Sequence, residues 1–155
     1  MDFKDLNAVI DFAIEKEIEA AEFYGNASQQ EQFSGKKQML QEFSAEERKH
    51  EALLKDLKAG SIGEKLDNYD YKWIVDIKRS DYVDAVEYHP GMAYHELLML
   101  AMKREEAALK LYNELLDHSE TAEQKKVFKM LCQEEAKHKL ALETMYDDFM
   151  AQMGD

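Results

Sequence analysis

The chain has 155 residues, the length of one domain with a substantial core. Its 33 acidic residues outnumber its 20 basic residues, so its formal net charge is −13. Because an acidic surface repels phosphate groups, this charge disfavours nucleic acids and anionic membranes as partners. The six glycines and single proline leave little material for turns, which favours a few long helices over a β fold.

Cysteine content and hydropathy indicate where the chain functions. Cys132 is the only cysteine and cannot form an intrachain disulfide, which favours a reducing compartment. The longest wholly apolar run, residues 97–102, is far short of the ~20 residues that span a bilayer. The N-terminus carries acidic residues where a signal peptide needs a basic start. We therefore expect a cytoplasmic protein.

Two stretches in the first half of the chain show the three- and four-residue spacing of apolar residues that is typical of amphipathic helices. The first covers residues 3–30, and Asp2 or Asp5 can cap its start. The second covers residues 36–58 and ends before the glycine-rich sequence 60–63. Because the loop between them is short, we expect an antiparallel hairpin.

The second half repeats this organisation. One helix is predicted over residues 92–117, just past Pro90, and the next begins at Ser119 or Thr121 and continues through Phe149. A short loop again predicts an antiparallel pair.

The segment between the hairpins is too long for a tight connection. Over residues 69–78 aromatic and β-branched side chains alternate with mostly charged ones, which fits a strand or an extended segment lying over the bundle. Residues 80–86 can form a short helix capped by Ser80. A long crossover between two hairpins predicts an all-α four-helix bundle that is not simply up-down-up-down. The predicted single domain, residues 1–155, comprises a hairpin over 3–59, a crossover over 60–91 and a hairpin over 92–152.

An internal repeat carries the polar residues of interest. At an offset of 88 residues, EIEAAEFY aligns with EEAALKLY, and EERKH aligns with EEAKH. A repeat at one fixed offset indicates two similar helix pairs that face each other about a pseudo-twofold axis. The aligned polar pairs are Glu17 with Glu105, Tyr24 with Tyr112, Glu47 with Glu135, and His50 with His138.

The helical spacing puts these glutamates and histidines on the inward-facing stripes, midway along each helix. Four buried carboxylates without counter-charge would cost several kcal/mol each, and no lysine or arginine lies on the stripes. A buried salt-bridge network, the structural alternative, lacks those cations. Two divalent metal ions would balance the four negative charges. In each Glu-x-x-His motif both side chains lie on one helix face, and mixed carboxylate and imidazole donors suit iron or manganese.

The motifs resemble the rubrerythrin-like branch of the ferritin-like diiron-carboxylate proteins, and the resemblance covers nearly the whole chain. It implies a ferritin-like fold that holds two iron ions, for which manganese or zinc can substitute. It implies that Tyr24 and Tyr112 donate hydrogen bonds to the carboxylates, although ordinary core tyrosines would show the same spacing. The implied metal ligands are Glu47 and Glu135 as bridges, Glu17 with His50 on one ion, and Glu105 with His138 on the other.

Two features depart from rubrerythrins proper. The single Cys132 cannot supply the four-cysteine, rubredoxin-like iron site that those proteins usually carry. Ala108 stands where they have an additional ligand glutamate, so the six-residue set is closer to the ferroxidase centre of bacterioferritins. The other acidic residues near the motifs, including Glu46 and Glu134, are predicted to lie on a solvated face.

The resemblance implies a non-haem diiron oxidoreductase of the rubrerythrin-like peroxidase type. It would react with H2O2 or O2 and take electrons from an external protein such as a rubredoxin. The alternative is ferroxidase, iron-storage or metal-carrier function without catalytic turnover, and a metal-dependent scaffold is a third reading. A peroxidase needs only a homodimer, which we expect, whereas storage needs a large shell.

Overall fold

The computed structural model describes residues 2–31 and 34–153. Its first hairpin consists of helix α1, Leu6–Gln30, and helix α2, Ser34–Ala59. The Asp5 carboxylate accepts the backbone N–H of Ala8 at 3.2 Å, so Asp5 caps α1. Helix α2 begins at Ser34, two residues before the predicted start, and Gly60 at φ 71° follows its end.

The second hairpin consists of α3, Tyr94–Asp117, and α4, Ala122–Met153. Thr121 supplies the N-cap of α4, since its hydroxyl accepts the Gln124 backbone N–H at 3.1 Å. The Gln124 side chain in turn accepts the backbone N–H of Thr121, in the reciprocal arrangement of a capping box. The described residues contain no β-strand, and the protein is the all-α, ferritin-like bundle that the sequence predicts.

The core of the bundle is divided along its length into two apolar clusters. One is built around Ile10, Leu54 and Phe128, and the other around Phe23 and Leu142. The fully buried glutamates and histidines lie on the same four helices, between the two clusters. Apolar packing above and below therefore shields this polar layer from water at the two ends of the bundle.

The crossover forms no strand over residues 69–78, so the strand alternative is wrong, and Lys78 has a left-handed backbone conformation with φ 55°. Its alternation leaves Trp73 91% exposed. The helix predicted over 80–86 is wrong in extent, because a 3-10 helix covers only Arg79–Tyr82. Ser80 does not cap it. The Ser80 backbone N–H is instead donated to the buried Glu143 carboxylate of α4, at 2.7 Å.

Candidate metal centre

The structure brings together the six residues that the sequence singles out, at the middle of the bundle. Each is no more than 3% exposed, although each is a charged or titratable side chain. The helices place them there because each sits one or two turns from apolar residues on the same inward stripe. The six residues are Glu17, Glu47, His50, Glu105, Glu135 and His138.

Their donor atoms form two overlapping groups. One group consists of Glu17, Glu47, His50 and Glu135. The other consists of Glu47, Glu105, Glu135 and His138. Within each group all the donor atoms lie within 4.8 Å of one another. Glu47 and Glu135 belong to both groups, so the site has two adjacent positions joined by two shared carboxylates.

Many of these donor atoms have no hydrogen-bond partner. They include both oxygens of Glu135, one oxygen each of Glu17, Glu47 and Glu105, and the Nδ1 atoms of both histidines. Buried polar atoms are rarely left unpaired, because each costs roughly 1–3 kcal/mol. Within the donor set, the unpaired atoms are carboxylate oxygens and imidazole nitrogens. The buried cluster therefore fits a metal site.

The two tyrosines join the hairpins across the site. The Tyr24 hydroxyl of α1 donates to Glu105 of α3 at 2.7 Å, and the Tyr112 hydroxyl of α3 donates to Glu17 of α1. Burial, followed by the neighbouring carboxylates, raises the pKa of both tyrosines well above the usual value. Both phenols therefore stay protonated and remain hydrogen-bond donors to the outer carboxylates.

The four glutamates divide into two acid pairs when no metal balances their charge. Burial, and then the Glu105 charge, raises the pKa of Glu47 and of Glu135 well above the usual range. For Glu105 burial also favours the neutral form, but hydrogen bonds from Glu135, His138 and Tyr24 outweigh it and lower the pKa to about 2. The pKa of Glu17 is lowered in the same way, by Glu47 and His50. The two shared carboxylates therefore hold protons in the metal-free protein.

Glu46 is half-exposed, as the predicted solvated face requires, but it also has a contact that the sequence analysis did not predict. Its carboxylate contacts Nε2 of His138, while Nδ1 of the same ring lies 3.0 Å from Glu47 inside the site. Burial lowers the His138 pKa, but Glu105, Glu46 and Glu47 outweigh this and raise it well above the usual value. Glu46 thus fixes which ring nitrogen faces the site. The sequence gives no signal for this, because Glu46 lies off the inward stripe.

The model for the Rubrerythrin family matches residues 2–58 and 78–153. The chain belongs to the rubrerythrin family. The unmatched interval, residues 59–77, covers the first part of the crossover.

A solved structure described as a hypothetical protein from Pyrococcus furiosus is similar to the chain with a TM-score of 0.72 and 25% sequence identity. The match covers 96% of this chain and 92% of that one. No curated protein matches the chain. Among the described residues, no helix combines the length and apolar character needed to cross a membrane.

Proposed function

We propose that the chain is a diiron oxidoreductase that reacts with H2O2 or O2 and takes electrons from an external electron-transfer protein. The observation that carries this proposal is the pair of overlapping donor groups that share Glu47 and Glu135. A single-metal site would need only one such group. Family membership supports the same reading.

The bound iron would supply the redox equivalents and open positions for the oxidant. The protein's own residues do the rest. Glu47 and Glu135 would release their protons as metal binds and would then bridge, since carboxylates must be deprotonated to coordinate. Tyr24 and Tyr112 hold the outer carboxylates by hydrogen bonds, and Glu46 orients His138. The two apolar clusters limit the entry of water.

Anaerobic titration with ferrous iron tests the proposed centre. Binding should saturate near two equivalents per chain, as the two donor groups require. The loaded protein should then consume many equivalents of peroxide when reduced rubredoxin is supplied as the probe donor. Saturation at one equivalent would contradict a dinuclear centre.

Ferroxidase or storage function is the second candidate, and Ala108 favours it. Ala108 lines the space beside Glu105, so the chain offers no further carboxylate at that place. A ferroxidase would oxidise iron once per loading and react faster with O2 than with peroxide. A stopped-flow comparison at equal oxidant concentrations separates the two functions. We propose the peroxidase type, in a cytoplasmic homodimer, and faster reaction with O2 would overturn that choice.

A further inference from the structure

A cavity of about 210 Å³ lies between α1 and α3 and reaches the metal centre. Its inner wall includes the carboxylates of Glu17, Glu105 and Glu135. Its outer wall includes Phe12 and Lys16, both of which are exposed at the surface. The cavity therefore connects the surface with the candidate ligands.

The cavity is larger than a diatomic oxidant needs. A water molecule takes up about 30 Å³ of liquid, and an apolar cavity of about 150 Å³ binds benzene. The room arises because Ala20, Ala107 and Ala108 present only methyl groups to it, while Phe12 and Leu111 supply apolar surface. This lining favours a molecule with an apolar body.

Arg104 also lines the cavity. The Nε atom of Arg104 is buried and has no hydrogen-bond partner, and its guanidinium carbon lies 5.0 Å from the Phe23 ring centroid. None of the carboxylates in the described part of the chain forms an ion pair with Arg104, although acidic residues exceed basic ones by 13. Lys16, by contrast, already pairs with Glu19 at 3.2 Å. Arg104 is thus the cation of the lining that has no carboxylate partner.

We propose that this cavity binds a small organic carboxylate, with its apolar body against the alanines and its carboxylate on Arg104. A guanidinium binds a carboxylate through directed, charge-assisted hydrogen bonds. The inference rests on the proposed function, because the glutamates of the inner wall would repel an anion unless bound metal offsets their charge. It goes further by assigning an organic ligand, in addition to the small oxidant, to the space beside the metals.

Calorimetric titration with benzoate tests the assignment. The protein is first loaded with Zn²⁺, which is redox-silent, and its zinc content is measured. Benzoate should bind the zinc-loaded protein, and Arg104→Gln should weaken binding by at least about tenfold, the effect of losing a hydrogen bond between charged groups. Arg79→Gln, which makes the same charge change away from the cavity, should leave binding unchanged. Benzyl alcohol, which has the ring without the charge, should bind more weakly than benzoate, and Arg104→Gln should leave its affinity unchanged.

A cavity-filling variant separates this site from a remote one. Ala108→Leu should retain zinc and lose benzoate, and unchanged benzoate affinity in either Ala108→Leu or Arg104→Gln would overturn the inference. Normal zinc content without benzoate binding would overturn the inference and leave the proposed metal centre standing. If zinc fails to bind, the proposed metal centre is wrong and the inference that rests on it is wrong as well, because without metal the glutamates of the inner wall repel the anion.

Discussion

The two helix hairpins carry the same candidate ligands at the same offset, yet their surroundings differ. Each hairpin contributes two glutamates, one histidine and one tyrosine, and the two tyrosines make reciprocal hydrogen bonds across the site. Around this shared set the middle of the crossover contacts α4 of the second hairpin, through Lys72 to Gln133 and Asp76 to Lys139. The repeat thus determines which residues meet at the centre, and the crossover determines what surrounds them.

The clearest difference lies at the glutamate that precedes each shared carboxylate. In the first hairpin Glu46 contacts Nε2 of His138. Its counterpart Glu134 instead forms an ion pair with Lys137 at 3.2 Å and lies near Tyr69 of the crossover, whose pKa is raised first by burial and then by the Glu134 charge. By the symmetry of the repeat, Glu134 would contact His50 as Glu46 contacts His138. The crossover lies beside Glu134 instead.

A second difference concerns one ion pair that occurs in both hairpins with reversed charges. Glu51 and Lys55 on α2 align with Lys139 and Glu143 on α4. In the first pair the Lys55 side chain is 56% exposed and that of Glu51 is 13% exposed, whereas Lys139 and Glu143 are only 5% and 0% exposed. The buried pair also binds the crossover, through Lys139 to Asp76 at 2.7 Å and Glu143 to the Ser80 backbone.

The largest expected effect tests whether the shared carboxylates bridge. Because Glu47 and Glu135 belong to both donor groups, replacing either with alanine should lower metal affinity at both positions by more than about 100-fold. His50→Ala and His138→Ala should mainly empty one position and leave about half of the wild-type metal content. Metal analysis after anaerobic iron loading measures both outcomes. A Glu47→Ala protein that retains two tightly bound irons would refute the bridging role.

The next effect concerns the buried ion pair. Lys139→Met should lower the free energy of unfolding by about 3 kcal/mol, because it leaves the Glu143 carboxylate buried without its cation. The matched control is Lys55→Met, whose side chain is 56% exposed, and it should cost no more than about 1 kcal/mol. Urea denaturation of the metal-free proteins gives both values. Equal losses of unfolding free energy in Lys139→Met and Lys55→Met would show that burial beside the crossover does not make the ion pair in α4 more important for stability.

A smaller effect is expected at the glutamate that differs between the hairpins. Glu46→Gln removes the charge beside Nε2 of His138 and should weaken metal binding by about 10- to 100-fold at the position His138 serves. Glu134→Gln is the control, and its effect should stay within a few-fold, because no contact joins it to His50 in the described structure. Competition with a chelator measures the affinities. Equal losses of metal affinity in Glu46→Gln and Glu134→Gln would show that the two glutamates act alike, as the repeat suggests.

The sequence predicts the bundle and the six central residues because both depend on helical spacing. A glutamate seven residues before Tyr24, or three before His50, lies on the same face in any regular helix. Helical spacing does not predict the roles of Glu46 and Arg104. Each is adjacent in sequence to an inward-facing residue, and its role depends on which side chains of the neighbouring helix lie beside it. Helical spacing does not predict the crossover either, since its path is set by Lys139 and Glu143, which the spacing alone cannot distinguish from a surface pair.

The smallest expected effect is the difference between Glu47 and Glu135 in how each makes the free energy of unfolding depend on pH, and this difference should be close to zero. In the metal-free protein each hairpin holds a proton on one carboxylate, Glu47 in the first and Glu135 in the second, because burial raises the pKa of both. A carboxylate whose pKa is raised by folding stabilises the protein below its ordinary pKa, 4.5 for glutamate, and that stability is lost as pH rises through the folded value. The free energy of unfolding should therefore fall between pH 5 and 6, by up to about 1.4 kcal/mol per pH unit for each of the two groups.

This pH range isolates the two carboxylates. The raised pKa of His138 adds a loss of the same sign, but only as pH passes its ordinary value of 6.5, and the lowered pKa of Glu105 acts only below 4.5. Glu47→Gln and Glu135→Gln should each remove about half of the slope of the free energy of unfolding against pH. The two reductions should be equal, because both carboxylates are buried and each lies beside a glutamate of its own hairpin. Urea denaturation at several pH values within this range measures the slopes. If only one variant flattens the slope, the asymmetry imposed by the crossover extends into the centre itself, and the two positions should then fill with metal one after the other.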